Sequence, residues 1–217
     1  MITSGIFFKN FILKRKSLEI KKKLKKFIKE NDPIAQSLKK NYQDFFKKKE
    51  LKKYKSFKNI RVIGMGGSSL GTQAIYDFLK YKIKRNFIFI NNLSPKLKKE
   101  NNKKMLNLIV SKSGNTIETI VNTNIFIKKK DKNIFITENK KNYLHLLAQK
   151  LKADIIHHNN YIGGRYSVLS EVGMLPAELM GLDSKKFRQF NNLIKNRRYL
   201  NALISNVSST LYFIKKE

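Results

Sequence analysis

From residue 59 onward, short apolar runs alternate with segments of helical spacing, and this alternation constrains the fold more than any other feature. Continuous apolar stretches such as VIGM, FIFI and LIV are typical of strands buried on both faces. Strands that alternate with helices form a parallel sheet with right-handed crossovers. We therefore predict an α/β fold, a three-layer, doubly wound, five-stranded parallel sheet. Its strands are predicted at 59–65, 86–92, 105–113, 133–138 and 153–160, and its helices at 72–83, 115–130, 139–152 and 169–182, with 94–104 as a crossover.

The regions on either side of this alternation are predicted to be helical. Residues 17–56 carry apolar side chains at spacings of three and four, with Asp32-Pro33 as a break and a helix start. After residue 184 the sequence is again polar and helical. We expect an N-terminal helical segment at 1–57, a sheet domain at 58–183 and a helical connector at 184–217.

The chain carries a formal net charge of +32, which raises the question of a nucleic-acid partner. Lysine supplies most of the surplus, whereas arginine, the better reader of bases and phosphates, is scarce. Lysine is spread over most polar positions and accompanies abundant Asn, Ile and Phe, as an AT-rich coding sequence would produce. We predict no specific nucleic-acid partner, although the positive field would attract small anions.

The sequence shows no cysteine and no sign of membrane insertion. The absence of cysteine excludes disulfides, thiolate metal sites and a cysteine nucleophile. No stretch approaches the roughly 20 consecutive apolar residues of a membrane span. Near the N-terminus the basic residues follow the short apolar run, the reverse of a secretory signal. We predict a cytoplasmic protein without a membrane partner, and no spacing of His, Asp and Glu indicates a metal site.

Three segments rich in glycine and hydroxyl side chains follow predicted strands: Gly64–Gly71, Ser111–Thr119 and Gly163–Ser170. Ligands of open parallel sheets bind outside the carboxyl ends of the strands. The fold would bring the three segments to one edge, and we expect the binding site there.

The segment SKSGNTIET, 111–119, gathers hydroxyls and a glycine at a strand-to-helix junction. Ser111, Ser113 and Thr116 can donate hydrogen bonds, and the amides around 112–115 can form an anion-binding nest. The alternative is a plain helix start, but one cap needs one hydroxyl. We predict a phosphate cradle of neutral donors, with Glu118 supporting the loop and the helix.

The first and third segments add glycines and one arginine. GMGGSSLG lacks both the GxGxxG order of dinucleotide folds and the GK[ST] ending of an NTP loop, so we expect a different ligand loop. The alternative is a tight turn in which Ser69 caps the helix. In GGRYS, the guanidinium group of Arg165 can orient an oxyanion. The alternative is a structural ion pair between Arg165 and Glu171. For His157 and His158, at the end of the fifth strand, we favour a buried or partly solvated role over catalysis.

Together, GMGGSSLG, SKSGNTIET and GGRYSVLSEVGMLPAELMGLD resemble the glucose-6-phosphate isomerase family over residues 59–183. The first two motifs are shared with the wider class of sugar-isomerase (SIS) domains, whereas the third is specific to the isomerases. The resemblance implies a flavodoxin-like SIS domain that interconverts glucose 6-phosphate and fructose 6-phosphate in glycolysis and gluconeogenesis. The reaction would pass through an enediolate without a metal or another cofactor, and the full-length enzyme would be a homodimer.

The resemblance also implies roles for individual residues. The phosphate loop is matched by Ser111, Lys112 (through its backbone), Ser113 and Thr116. A glycine–serine substrate contact is matched by Gly67 and Ser68. Arg165 matches the arginine near the reacting carbons, where it would stabilise the enediolate oxyanion.

The family's catalytic glutamate lies downstream of these motifs, as do a histidine and a lysine that assist ring opening, and none of the three is matched here. Glu118 and Glu171 match no catalytic position. We therefore expect the 217 residues to be the N-terminal part of an isomerase, which binds phosphosugars weakly and catalyses negligibly. The alternatives are an SIS module that senses sugar phosphates, which would have no need of the Arg165 segment, and a nucleic-acid binder.

Overall fold

The computed structural model describes residues 17–30, 32–93, 104–128 and 131–215. The N-terminal run that argued against a secretory signal and most of the crossover predicted at 94–104 lie outside the described residues. Two compact units make up the chain, one of residues 43–187 and one of residues 1–42 with 188–217. The domain boundaries placed after residues 57 and 183 remain predictions.

The unit of residues 43–187 contains a parallel sheet of five strands in the order β2-β1-β3-β4-β5. The strands are Asn59–Ile63 (β1), Asn86–Ile90 (β2), Met105–Val110 (β3), Lys132–Thr137 (β4) and Asp154–His157 (β5). β1 therefore lies between β2 and β3, and its residue Asn59 is opposite Met105 of β3. This is the order of flavodoxin-like folds, and it confirms the predicted fold class.

Helices cover both faces of the sheet because the strands are apolar on both sides. Ile60 and Val62 of β1 share an apolar core with helices Leu70–Leu79 and Glu171–Leu179, whereas Ile63 shares one with helices Ile117–Phe126 and Tyr143–Lys150. The helices are α1 Leu18–Lys29, α2 Pro33–Ser37, α3 Leu70–Leu79, α4 Ile117–Phe126, α5 Tyr143–Lys150, α6 Glu171–Leu179, α7 Phe190–Lys195 and α8 Arg197–Ile214. Short 3₁₀ turns lie at Glu50–Tyr54, Gly66–Ser68, Lys80–Lys82, Gly164–Leu169 and Ser184–Lys186.

The prediction of helix across residues 17–56 is wrong for residues 38–49, which lie between α2 and the 3₁₀ turn at 50–54. Two aromatic contacts explain the difference. Phe46 is buried in the core of the sheet, and the ring of Phe45 packs edge-on against that of His157 with centroids 4.6 Å apart. Such tertiary contacts override the weak local preference for helix.

The other unit contains α1, α2, α7 and α8. The hydroxyl of Ser17 accepts a hydrogen bond from the amide of Ile20 and so caps α1, and Asn196 caps α8 in the same way. Apolar side chains of α1 and α8 line a cavity of about 290 Å³. Throughout the described residues, the helices are too short or too polar to span a membrane.

Candidate functional site

The carboxyl ends of β1 and β3 are adjacent, and their loops approach each other closely. A Cβ atom added at Gly64 would lie 2.9 Å from the carbonyl oxygen of Val110, so the backbone of the first loop lies against the end of β3. In this strand order the chain leaves β1 and β3 in opposite directions along the sheet, which opens a ligand crevice between them. The segments that begin at Gly64 and Ser111 therefore lie at the topological switch point, the place between β1 and β3 where the strand order reverses.

Three hydroxyls predicted to bind phosphate lie together in the loop after β3. The Oγ of Ser111, which is 2% exposed, lies 2.9 Å from the Oγ1 of Thr116 and accepts a hydrogen bond from the amide of Gly114. The exposed Ser113 accepts one from the amide of Asn115, and its Oγ lies 3.5 Å from that of Thr116. Ser111 thus shapes the loop from within, while Ser113 faces solvent.

The start of α4 lies beside these hydroxyls and has no side-chain cap. Thr116 is the capping residue, but its hydroxyl makes no capping hydrogen bond, and the first helical bond runs from the amide of Ile120 to its carbonyl. In the alternative, these residues only start a helix and one hydroxyl caps it, but the structure has no such capping hydrogen bond. The amides of the first turn and the positive end of the helix dipole suit an anion. Glu118, the expected support, makes no hydrogen bond or ion pair within the described residues.

The 111–116 loop is held in place by the start of α5, a contact that the sequence did not reveal. The carbonyl of Gly114 (φ +67°) accepts a hydrogen bond from the amide of Leu144, and the side chain of Asn115 accepts one from the amide of Tyr143. Asn142 caps α5 and lies where a side chain at Gly114 would be. An asparagine before the run YLHLL is a helix-start signal, although we predicted the helix from residue 139.

The side chain of Lys112 binds the neighbouring loops. Its Nζ donates to the carbonyl of Asn160 at 2.6 Å and lies 3.5 Å from the Oε1 of Glu138. The carbonyl of Lys112 also accepts a hydrogen bond from the amide of Glu138. The ammonium group of Lys112 is thus directed to these loops, and the predicted contact of its backbone with a phosphate stays a prediction. Glu138 ends the predicted fourth strand and was not singled out by the sequence.

The two histidines at the end of β5 lie in surroundings that disfavour the charged imidazolium. His158 is 1% exposed, and its Nδ1 donates to the carbonyl of Asn159 at 3.1 Å, while the Nδ1 of the half-buried His157 accepts from the amide of Asn139. Burial is the largest influence on both and lowers the pKa of each imidazole from its ordinary value. These positions agree with the expected buried or partly solvated role.

The first and third segments are in direct contact. A Cβ atom at Gly67 would lie 2.3 Å from the carbonyl carbon of Gly164, and the hydroxyl of Ser167 donates to the carbonyl of Gly67 at 3.3 Å. Any residue larger than glycine at position 67 would separate the two loops. The structure therefore places the first segment against the end of β3 at Gly64 and against the third segment at Gly67.

The two serines of the first segment differ in their surroundings. The hydroxyl of the buried Ser69 donates to the carbonyl of Gly66 at a long 3.5 Å and makes no capping hydrogen bond to α3. The alternative in which Ser69 caps this helix is therefore not seen. The partly exposed Ser68 makes no side-chain hydrogen bond in the described part of the chain. The substrate contact that the resemblance implies for Ser68 stays a prediction.

Arg165 projects from the 3₁₀ turn at Gly164–Leu169 as an exposed side chain. Among the residues that the structure describes, none forms an ion pair or hydrogen bond with it. Glu171, the partner in the structural alternative, is fully buried on α6. Arg165, Gly67 and Gly164 border an otherwise apolar cavity of about 720 Å³. Across the described ranges, no hydrogen bond links the 111–116 loop to Gly67, Ser68 or Arg165.

Comparison with known proteins places this arrangement in a family. The family model for phosphoglucose isomerase matches residues 13–201. The chain belongs to the phosphoglucose isomerase family. It is 36% identical over 192 residues to a glucose-6-phosphate isomerase of Methanocaldococcus jannaschii, covering 79% of this chain and 47% of the relative. A glucose-6-phosphate isomerase of Mycoplasma genitalium is 33% identical over 193 residues, with 76% and 44% covered. The resemblance seen in the sequence is confirmed.

Solved structures similar to this member of the phosphoglucose isomerase family share its fold. A hypothetical protein from Thermus thermophilus superposes with a TM-score of 0.70 at 22% identity over 90% of this chain and 52% of its own. A tagatose-6-phosphate ketose/aldose isomerase from Escherichia coli superposes with a TM-score of 0.50 at 18% identity, with 65% and 43% covered. The chain thus spans about half the length of the curated relatives and of the solved structures that it matches.

Proposed function

We propose that this chain binds the substrate in the interconversion of glucose 6-phosphate and fructose 6-phosphate. One observation carries the proposal: the hydroxyls of Ser111, Ser113 and Thr116 gather beside the uncapped N-terminus of α4, at the β1–β3 switch point. That environment suits a phosphomonoester, and the relatives named glucose-6-phosphate isomerase support this choice of sugar phosphate.

In the proposed mechanism, different residues bind the phosphate and stabilise the negative charge of the enediolate. Hydroxyls and amides of the 111–116 loop hold the phosphate at the positive end of α4 and so place the reacting carbons. The ammonium group of Lys112 contacts Asn160 and Glu138, so the donors to the phosphate are neutral. Gly67 and the free hydroxyl of Ser68 contact the sugar. The unpaired guanidinium of Arg165 stabilises the negative oxygen of the enediolate, which is present only during the reaction.

Proton transfer between C1 and C2 requires a positioned base. Glu171 is fully buried, and Glu118 lies in the first turn of α4, where the phosphate would bind. We therefore assign the base to residues outside these 217, so that the chain alone binds phosphosugars and barely turns them over.

The proposal also includes a cytoplasmic enzyme that is homodimeric at full length, uses no cofactor and has no specific nucleic-acid partner.

Ligand binding tests the site directly. Isothermal calorimetry should show that fructose 6-phosphate binds, that fructose does not, and that a hydroxamate analogue of the enediolate with a terminal phosphate binds more tightly. Ser113→Ala should weaken both phosphate ligands equally, because it removes a phosphate donor. Arg165→Gln should abolish the advantage of the analogue, because it removes the charge that faces the enediolate.

Three outcomes would contradict parts of this proposal. A chain that binds no phosphosugar has a different function. Equal binding of substrate and analogue that Arg165→Gln leaves unchanged would favour the sensing module over the isomerase. Rapid conversion of fructose 6-phosphate by the chain alone, measured with glucose-6-phosphate dehydrogenase as coupling enzyme, would show that the base lies within these residues.

A further inference from the structure

A row of buried polar side chains crosses the face of the sheet that α4 and α5 cover. Arg61 on β1, Asn107 on β3 and Asn133 on β4 are register partners and are 5%, 0% and 5% exposed. Their neighbours on the same face are apolar, as is usual in a parallel sheet covered on both sides. A charged group in this place needs an explanation beyond core packing.

Arg61 contacts the far end of α4. Its Nη1 donates to the carbonyl of Phe126, the last residue of that helix, at 3.2 Å and to the side-chain oxygen of Asn107 at 3.1 Å. The guanidinium carbon lies 5.0 Å from the centroid of the Phe126 ring. A cation that binds the last carbonyl of a helix also complements the negative end of the helix dipole.

The rest of the network fixes the chain that leaves α4. Asn107 donates through Nδ2 to Asn133 at 2.9 Å and to the carboxylate of Asp131 at 3.3 Å. The same carboxylate oxygen of Asp131 accepts a hydrogen bond from the amide of Lys128 at 3.0 Å. Asn107 therefore links the Arg61 cation to the Asp131 anion, and the three central strands bind both the end of α4 and the segment after it.

Burying such a network costs desolvation free energy. When well-packed apolar residues replace a buried charged network, the stability of a protein often stays the same or rises. What the network adds is a defined position for α4. This helix is ten residues long, about 15 Å, and its opposite end carries the 111–116 loop. Because a short helix moves as a rigid body, an anchor at Phe126 also sets the position of its first turn.

We propose that Arg61 is a positioning residue for phosphate binding: its contacts with Phe126 and Asn107 fix α4 so that the first turn meets the hydroxyls of Ser111 and Thr116. The proposal rests on the proposed function. It adds a residue at the middle of β1, which contacts the end of α4 opposite the phosphate and acts without touching the ligand.

Arg61→Met tests this assignment, with Arg85→Met as the matched control. Arg85 also donates to the last carbonyl of a helix, Leu179 of α6, but α6 carries no part of the phosphate loop. Inorganic phosphate is the probe, titrated by NMR while the amide signals of residues 113–120 are followed. Arg61→Met should weaken phosphate binding about tenfold or more and shift those amides before phosphate is added. Arg85→Met should leave both unchanged, and Arg61→Lys should restore part of the affinity.

The outcomes separate the inference from the proposed function. If the native chain binds phosphate and a folded Arg61→Met binds it equally well, the positioning role is overturned. If the native chain binds no phosphate, the proposed function fails, and unshifted amides in Arg61→Met would then overturn the positioning role independently. Should Arg61→Met not fold, Phe126→Leu removes the ring contact and keeps an apolar side chain, and its affinity should fall severalfold; unchanged affinity would count against the inference.

Discussion

At the scale of single residues, the serines of the 111–116 loop have different tasks although the motif presents them alike. Ser111 is buried and accepts the amide of Gly114, whereas Ser113 faces solvent. Sequence alone predicted the three hydroxyls as equivalent donors, because the burial of one depends on β4 and α5, which come later in the chain. Substituting each in turn should separate loop stability from binding.

Ser111→Ala should destabilise the chain by about 1–3 kcal/mol, since it leaves the buried amide of Gly114 without a partner. In a chain of this size that lowers the unfolding temperature by about 2–4 °C per kcal/mol. Ser113→Ala should change stability by less than about 0.5 kcal/mol and still weaken phosphate binding. Thermal unfolding and phosphate titration measure the two effects. Equal destabilisation by both variants would show that the serines are not divided in this way.

Gly114→Ala should be more damaging than an ordinary glycine substitution. The left-handed backbone (φ +67°) costs a side chain about 1–2 kcal/mol, and the new Cβ would lie 1.9 Å from the Oδ1 of Asn142. Displacing that side chain removes the cap of α5, worth about 1 kcal/mol more. The control is Gly181→Ala, where φ is +85° and no atom lies within 4 Å. Chemical denaturation should rank Gly114→Ala as the less stable variant, and the reverse order would contradict the role of Asn142.

At the scale of elements, the strands were predictable because each contains a short apolar run that is followed by a glycine or a polar residue. The predicted strand at 105–113, for example, contains β3 at Met105–Val110. The sequence did not show that the start of α5 supports the 111–116 loop, since that depends on contacts between positions about 30 apart. It also did not show that residues 38–49 leave the helical pattern, because Phe45 and Phe46 pack against the sheet unit.

The end of β5 should make stability depend on pH. Burial lowers the pKa of His158 in the folded state below its ordinary value near 6.5, so the unfolded chain binds the proton more readily and acid favours unfolding. This contribution is present above the unfolded pKa and is lost as the pH falls through 6.5 towards the folded pKa. The loss is at most about 1.4 kcal/mol per pH unit for this group.

Thermal unfolding of the native chain and of His158→Asn between pH 7.5 and 5 measures this effect. The unfolding temperature of the native chain should fall faster with acid than that of the variant. Carboxylates titrate below this window and affect both proteins alike. Parallel pH profiles would show that His158 is not held neutral in the folded state.

At the scale of the whole molecule, charge opposes compactness. Lys and Arg number 47 against 15 Asp and Glu, and like charges at this density repel one another in the folded state. Screening should relieve the repulsion. Raising NaCl from about 10 mM to about 100 mM shortens the Debye length from about 30 Å to about 10 Å.

The unfolding temperature should therefore rise by about 2 °C or more over that range of salt. The affinity for fructose 6-phosphate should fall over the same range, since the field that attracts the dianion is screened as well. Thermal unfolding and calorimetry at each salt concentration check both trends, with sucrose as an uncharged co-solute control. Stability independent of salt would mean that the lysines are spaced widely enough not to interact.

The hydrogen bonds from Tyr143 and Leu144 to the 111–116 loop give the molecule a built-in reporter. Their amide protons belong to the first turn of α5, where the helix itself offers no acceptor, and their acceptors belong to the loop, so their protection from exchange with solvent depends on the loop staying in place. A ligand that orders the loop should slow deuterium uptake at these two positions, about 30 residues along the chain from the atoms that it touches.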